Sequence, residues 1–377
     1  MRPPRRRAAA VLTLLAAAEV CVAQMIPVRE KAYWDVVKQY AGAERRPAVT
    51  AIGEWTSRDL ETVDKAIEGR AKEARKCAAC EARQTFDALP LRTALLLHAE
   101  QDRITRMAGF LDTGRAVECS PTLQSAQIER LLASVALQPG GVPFATRFVT
   151  AYSLSLRSLL CYPSALEWAD LGLKVGPGDA ALHLTRGLAA ESVASSVVAQ
   201  SVWRTSFDAR GRPISGYEPV DRKGALNAAL EAFSRTLSLD PQLPGARLHL
   251  GRVQWRAGRG AEAKETLRQA VGEAKGPLLY LAHLFYGQCL EDEGDIDGAA
   301  AEYHSALSIR RDSQVAAVAL AHAHTLKGES DLAREVLDRV LSFAGNRLSL
   351  DPFWSYLTGT EETADALLEQ LRAEAIP

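Results

Sequence analysis

Cys77 and Cys80 are the residues whose types and spacing most suggest chemistry, in the run Cys77-Ala78-Ala79-Cys80. Two cysteines so placed can exchange thiols for a disulfide, supply half of a zinc site, or attach haem. Haem attachment needs a histidine next, and the next residue is Glu81. The pair lies in a charged helical run from Arg70 to Arg83 with no strand pattern before it, which is the wrong setting for a thioredoxin-type site. Zinc would need two more ligands, and nothing in the spacing of Cys119 and His98 recommends them. What remains is a disulfide involving Cys77 or Cys80, or two thiols on one helical face. Cys161 and Cys289 stand in apolar helical context and read as core residues. The histidines are scattered; His322 and His324 are two apart and face different sides of a helix, so no metal site is expected. There is no zinc-protease helix, phosphate-binding glycine loop, dinucleotide fingerprint or glycine-flanked serine nucleophile. The chain reads as a non-enzyme without cofactor, and the catalytic alternative is a thiol-redox or other enzyme using Cys77 and Cys80.

The elements that carry these residues are organised by a repeat. Ala263, Leu267 and Ala270 place small, large and small side chains at steps of four and three, and Ala299, Tyr303 and Ala306 do the same. Ala333, Leu337 and Val340 follow the spacing again, and Ala229, Phe233 and Thr236 precede it. The anchor alanines at 229, 263, 299 and 333 recur about every 34 residues. Leu250-Gly251, Tyr286-Gly287 and Leu320-Ala321 stand in the other half of each unit, Gly258, Gly294 and Gly328 fall between paired helices, and Asp240-Pro241 closes the earliest unit. One helix pair cannot bury its own apolar stripe, so units of this kind stack.

On these residues the stretch 225–342 resembles the tetratricopeptide repeat (TPR) family, in a degenerate form. Arg247, Gln254, His283 and Leu290 occupy places where the family usually carries aromatic residues. The resemblance implies an all-α fold, a right-handed α-solenoid of antiparallel helix pairs, with an N-terminal helical extension and a C-terminal capping helix. It also implies a peptide-binding concave face lined by the first helix of each pair. Carried onto this sequence, that face takes Arg252, Trp255 and Arg256, then Gln288, Glu291 and Asp292, then His322. Arg252 and Gln288 stand where the family's carboxylate-clamp subset has asparagines, so binding of chaperone tails is not implied.

Around the repeats the chain divides as follows. Residues 1–23 read as a signal peptide: a basic start with Arg2, Arg5, Arg6 and Arg7, then an apolar run from Ala8 to Ala18 too short to anchor in a bilayer. Residues 24–144 read as an N-terminal helical region, with helices over 28–39, from Thr56 or Ser57 onward, over 91–110 and over 123–137, ending at the Pro139-Gly140-Gly141-Val142-Pro143 break. The solenoid covers 145–343. Ala165, Ala169 and Gly172 repeat the anchor spacing one stretched unit before Ala229, with a first helix from Asp179 to about Trp203 and a loop insertion at 205–222. Phe207, Arg210, Arg212 and Tyr217 on that loop are candidate contact residues. Residues 344–377 form the capping helices, the first opened by Asp351-Pro352 and the second burying Ala364, Leu367, Leu368 and Leu371.

The formal net charge is −1, and 47 % of residues are apolar. No basic excess favours nucleic acid, and no other segment is apolar enough to remain in a membrane once the signal is removed. The expectation is a non-catalytic protein-interaction scaffold of the bacterial cell envelope, periplasmic or secreted, that binds a protein or peptide segment in the groove. The structural alternative is a self-associating envelope component.

Overall fold

The computed structural model describes residues 91–103, 106, 123–195, 201–207, 213–219, 221–342, 351–358 and 362–375. The signal segment 1–23, the expected helices over 28–39 and from Thr56 or Ser57, the pair Cys77 and Cys80, and the loop residues Arg210 and Arg212 lie outside them.

Helix α1 covers 91–103. It is followed by α2 (Leu123–Ala136), α3 (Gly141–Ser158), α4 (Tyr162–Val175) and α5 (Ala180–Ser195). Strands β1 (Ser201–Phe207) and β2 (Pro213–Pro219) come next, then α6 (Arg222–Leu239), α7 (Ala246–Arg256), α8 (Gly260–Glu273) and α9 (Gly276–Asp292). The chain continues through α10 (Ile296–Ile309), α11 (Gln314–Leu326), α12 (Ser330–Ser342), α13 (Pro352–Thr358) and α14 (Glu362–Ala375). From α3 to α12 successive helices pack in antiparallel pairs and stack as a right-handed α-solenoid. The first helices α5, α7, α9 and α11 touch one another in turn, which places them on the inner side of the curve.

Local sequence explains where these helices begin and end. Asp221 caps α6 by accepting from the Gly224 amide at 2.8 Å, Asp295 caps α10 from Gly298 at 3.0 Å, and Ser313 caps α11 from Ala316 at 3.1 Å. Each satisfies an amide that the first turn leaves without a partner. Gly258, Gly294 and Gly328 end α7, α9 and α11 with φ of 75, 84 and 80°, the left-handed geometry that reverses the chain within each pair.

Packing follows the small-large rule of the repeat. Anchor alanines 229, 263 and 299 are fully buried. A methyl group on Gly251 would stand 2.7 Å from Leu267 Cγ, and one on Gly287 would stand 2.5 Å from the Tyr303 ring. A methyl group on Gly187 of α5 would likewise stand 2.4 Å from the Phe233 ring of α6. So α5 and α6 are one repeat, split by the insertion that the stretched spacing indicated.

That insertion differs from the expected loop. It is an antiparallel hairpin, paired from Ser201 opposite Pro219 to Phe207 opposite Pro213. The expected first helix to Trp203 is described over Ala180–Ser195, and Trp203 lies in β1 opposite Tyr217. Val202, Trp203, Thr205, Phe207, Ile214 and Tyr217 are residue types that favour strands, and this preference outweighs the turn signal of the prolines and glycines around them.

The cores join distant parts of the chain. One cluster combines Leu95, Ile128, Phe144, Phe148, Tyr152 and Trp168 with Leu368, Leu371 and Ala375 of α14. Another runs from Leu248 through Phe285 and Tyr303 to Leu320 and takes in Tyr356 of α13. The two C-terminal helices therefore cover the array along its inner face: α14 lies on α3, and α13 bridges α5 and α9. Ionic contacts hold α14 in place, between Arg103 and Asp365 at 3.2 Å, Arg372 and Glu100 at 3.1 Å, and Arg147 and Glu374.

Cys161 was expected to be a simple core residue. It is buried, but it is disulfide-bonded, and its partner lies outside the described residues. Cys289 is a free, buried thiol. Burial, with Glu293 and Asp292 nearby, pushes its pKa up to about 11, so it stays protonated and inert at neutral pH.

Candidate partner-binding face

The inner face is assembled from one side of each first helix. Helix α5 contributes Glu191, a single acid in the alanine-rich run Leu188-Ala189-Ala190-Glu191-Ser192. Helix α7 contributes His249, Arg252, Trp255 and Arg256; α9 contributes Tyr280, Phe285, Gln288, Glu291 and Asp292; α11 contributes His322.

The seven sequence-derived residues fall into three groups. Trp255 Nε1 donates to Asp292 Oδ2 at 2.7 Å, tying α7 to α9. Glu291 bonds His322 Nδ1 at 2.9 Å and accepts from the Tyr303 hydroxyl at 3.0 Å, tying α9 to α11 and α10. These four side chains therefore lace neighbouring repeats along the face while staying near its surface. Gln288 is half-buried, and its Oε1 has no hydrogen-bond partner.

Arg252 and Arg256 lie deeper. Arg256 donates to Ser195 Oγ and to the Ala194 carbonyl at 3.1 Å, at the point where α5 gives way to the hairpin. Burial and the neighbouring Arg252 both lower its pKa. Arg252 is 8 % exposed. Its guanidinium carbon stands 3.9 Å from the centre of the Phe285 ring and 4.9 Å from that of Tyr356. Its Nε is 3.6 Å from Glu191 Oε1, too long for a hydrogen bond, and Nε and Nη1 have no hydrogen-bond partner.

At the centre of the face is a cluster that sequence reasoning missed. Glu191 accepts from His249 Nδ1 at 2.8 Å and from the Tyr356 hydroxyl of α13. The His249 ring stacks between Phe233 and Tyr356, with centroids 5.4 and 5.3 Å away. Arg157 of α3 donates Nε to Ser192 Oγ at 2.8 Å and Nη2 to the Tyr356 carbonyl at 2.9 Å. Burial alone would push the Glu191 carboxyl upward, but His249, then Arg252, then the Tyr356 hydroxyl hold it below the ordinary carboxylate value. Burial raises the Tyr356 phenol well above its usual value, so its hydroxyl is a permanent donor.

At its other end α13 is pinned by Asp351. This residue accepts from the Tyr280 hydroxyl at 2.8 Å and from Ser313 Oγ at 2.7 Å, while capping its own helix at the Phe353 amide at 2.9 Å. The inner face thus already holds a helical segment, by aromatic stacking, a backbone carbonyl and two buried polar anchors. The sequence signals for this were slight: an isolated acid in an apolar helix, and an aromatic-rich stretch after an Asp-Pro cap.

Of the loop residues, Phe207 and Tyr217 sit on β1 and β2. Among the described residues no group of three metal-ligating side chains is brought together, and no helix is long and apolar enough to cross a membrane.

The chain matches the tetratricopeptide repeat family over residues 222–284 and 290–349. No curated protein matches the sequence. Among solved structures, PilW, described as a widely conserved type IV pilus biogenesis factor, is similar at 18% identity and TM-score 0.41, over 61% of this chain and 91% of that one. MamA from Desulfovibrio magneticus RS-1 is similar at 15% identity and TM-score 0.37, over 51% and 94%. YrrB, described as a TPR protein with an unusual peptide-binding site, is similar at 16% identity and TM-score 0.36, over 55% and 89%. The family match, the small-large packing and the left-handed turns coincide over one stretch: residues 222–342 are a degenerate tetratricopeptide-repeat array, a fold of protein-interaction scaffolds.

Proposed function

We propose that this chain is a non-catalytic scaffold of the cell envelope that binds a segment of a protein partner on the inner face of its repeat array. The observation that carries the reading is the seat of α13. Helices α3, α5, α7 and α9 supply aromatic, basic and hydrogen-bonding side chains that hold a short helical segment. Two features support export: the basic-then-apolar start of the sequence, and the disulfide at Cys161, a bond that persists in oxidising compartments. Trp255, Asp292, Glu291 and His322 form the accessible rim of the face, and Arg252 and Arg256 its floor.

The test is affinity capture of the tagged, exported protein after gentle cross-linking, with mass spectrometry of what is retained. A recurrent envelope protein, lost when Arg252, Trp255 and Arg256 are replaced by alanine in a chain that keeps its helical circular dichroism, is the expected result. Retention of every partner by that variant overturns the groove reading.

A further inference from the structure

We infer that residues 351–358 are a displaceable occupant of the inner face. The partner is then a short helix with an aromatic pair spaced like Phe353 and Tyr356 and, in addition, a carboxylate that reaches Arg252. This inference rests on the scaffold reading above and narrows it to one class of partner.

The seat itself makes the first argument. Helix α13 is only seven residues long, and what fixes it is what a bound peptide offers: a capped N-terminus, two aromatic side chains, one hydroxyl and one carbonyl. Phe285 packs against both aromatics, with centroids 6.4 Å from Phe353 and 5.1 Å from Tyr356. Helix α14 has its own seat, through Leu368, Leu371 and Ala375 in the core around α3. Departure of α13 therefore leaves α14 attached.

Charge makes the second argument. Arg252 and Arg256 converge on this face, and Glu191 is the carboxylate they share. His249 and Tyr356 already engage both oxygens of Glu191. Arg252 is left against the Phe285 and Tyr356 rings with Nε and Nη1 unbonded, although it is buried. A buried cationic donor without a hydrogen-bond partner is costly. The resident segment supplies a neutral phenol beside it. An incoming segment with the same aromatic pair and a carboxylate would form a charge-assisted hydrogen bond that the resident cannot. That difference is what a competitor needs, because a tethered occupant acts at an effective concentration on the order of millimolar.

The experiment uses the full chain and fluorescein-labelled peptides. One peptide has the sequence of residues 350–359; three others carry Trp354→Glu, Ser355→Glu or Thr358→Glu. Wild type should bind the parent peptide at least about tenfold more weakly than the Phe353→Ala/Tyr356→Ala chain, in which the occupant is disabled. At least one glutamate peptide should bind tighter than the parent, and Arg252→Ala should erase the difference. A double variant that stays folded yet binds no peptide overturns the displaceable occupant. Equal binding of all four peptides overturns the carboxylate. Should the double variant lose its helical signal, hydrogen exchange of wild type with excess glutamate peptide replaces it. Faster exchange at amides 353–358 is expected, and unchanged exchange overturns the proposal. Partner capture that depends on Trp255 and Arg256 while no peptide binds would sink this inference and leave the scaffold reading intact; peptide binding without any captured partner would do the reverse.

Discussion

Glu191 is the residue on which the inner face turns. It carries a buried charge whose hydrogen-bond partners come from α7 and α13. Glu191→Ala leaves His249 and Arg252 buried beside an empty space, and removing one member of a buried charged set costs about 3–5 kcal/mol. Urea denaturation should show that loss, and Glu191→Gln, which keeps the shape, should lose less. The pH dependence has a definite sign. The carboxyl titrates lower in the folded than in the unfolded chain, so its contribution is complete above the unfolded value of about 4.3 and disappears as pH falls through the folded value. Denaturation midpoints measured from pH 6 down to pH 3 should fall in wild type more steeply than in Glu191→Gln. Nothing in the sequence marked this residue. An acid in an alanine-rich helix reads as a solvated face, and its partner Tyr356 lies 165 positions away, where no local period can register it. Arg252, by contrast, was legible through its place in the repeat, although its burial was not.

At the level of helices the repeat was almost fully legible, because each of its rules is local. A small residue at 229, 263 or 299 recurs where a partner helix must come close, and a glycine at 258, 294 or 328 where the chain must reverse. Gly287→Ala pushes a methyl group into the Tyr303 ring and should destabilise the array by about 1–3 kcal/mol, read as a shift in the denaturation midpoint. Two of the four degenerate positions, Arg247 and His283, make polar pairs in place of aromatic packing, while Leu290 joins the core. Arg247 reaches Glu273 at 2.8 Å and Gln269 at 2.9 Å, and His283 reaches Glu302 at 2.6 Å. The hairpin was legible as an insertion but not as strands, since its prolines and glycines spoke for a loop. Its two ends, Ser201 and Pro219, are paired neighbours, so replacing 201–219 with two glycines should leave α5 and α6 packed. Unchanged helical circular dichroism and thermal midpoint would show it; a collapse of both would mean that the hairpin supports the repeat.

For the molecule as a whole, the C-terminal helices change what kind of solenoid this is. A simple array holds only neighbour to neighbour. Here Thr93 donates to the carbonyl of Ala375 at 3.2 Å, and Arg157 to that of Tyr356 at 2.9 Å, so the two ends of the described fold share bonds. Deleting residues 351–377 should split one cooperative urea transition into two, with hydrogen-exchange protection lost first in α1–α3 and kept in α8–α11. A single undivided transition in the truncated chain would refute the closure. This was the least legible feature: the sequence marked the final helix as apolar inside, but an apolar stripe does not say which surface it meets.

The seat of α13 also sets a timetable. Arg157 is made 199 residues before its acceptor on Tyr356. At roughly 5–20 residues per second, the ribosome takes about 10–40 s to supply the missing piece. Until then the inner floor of α3, α5 and α7 is wet and its buried cation stands open. The nascent protein therefore passes through an interval in which its own recognition surface is vacant, and what it meets during that interval competes with its own completion.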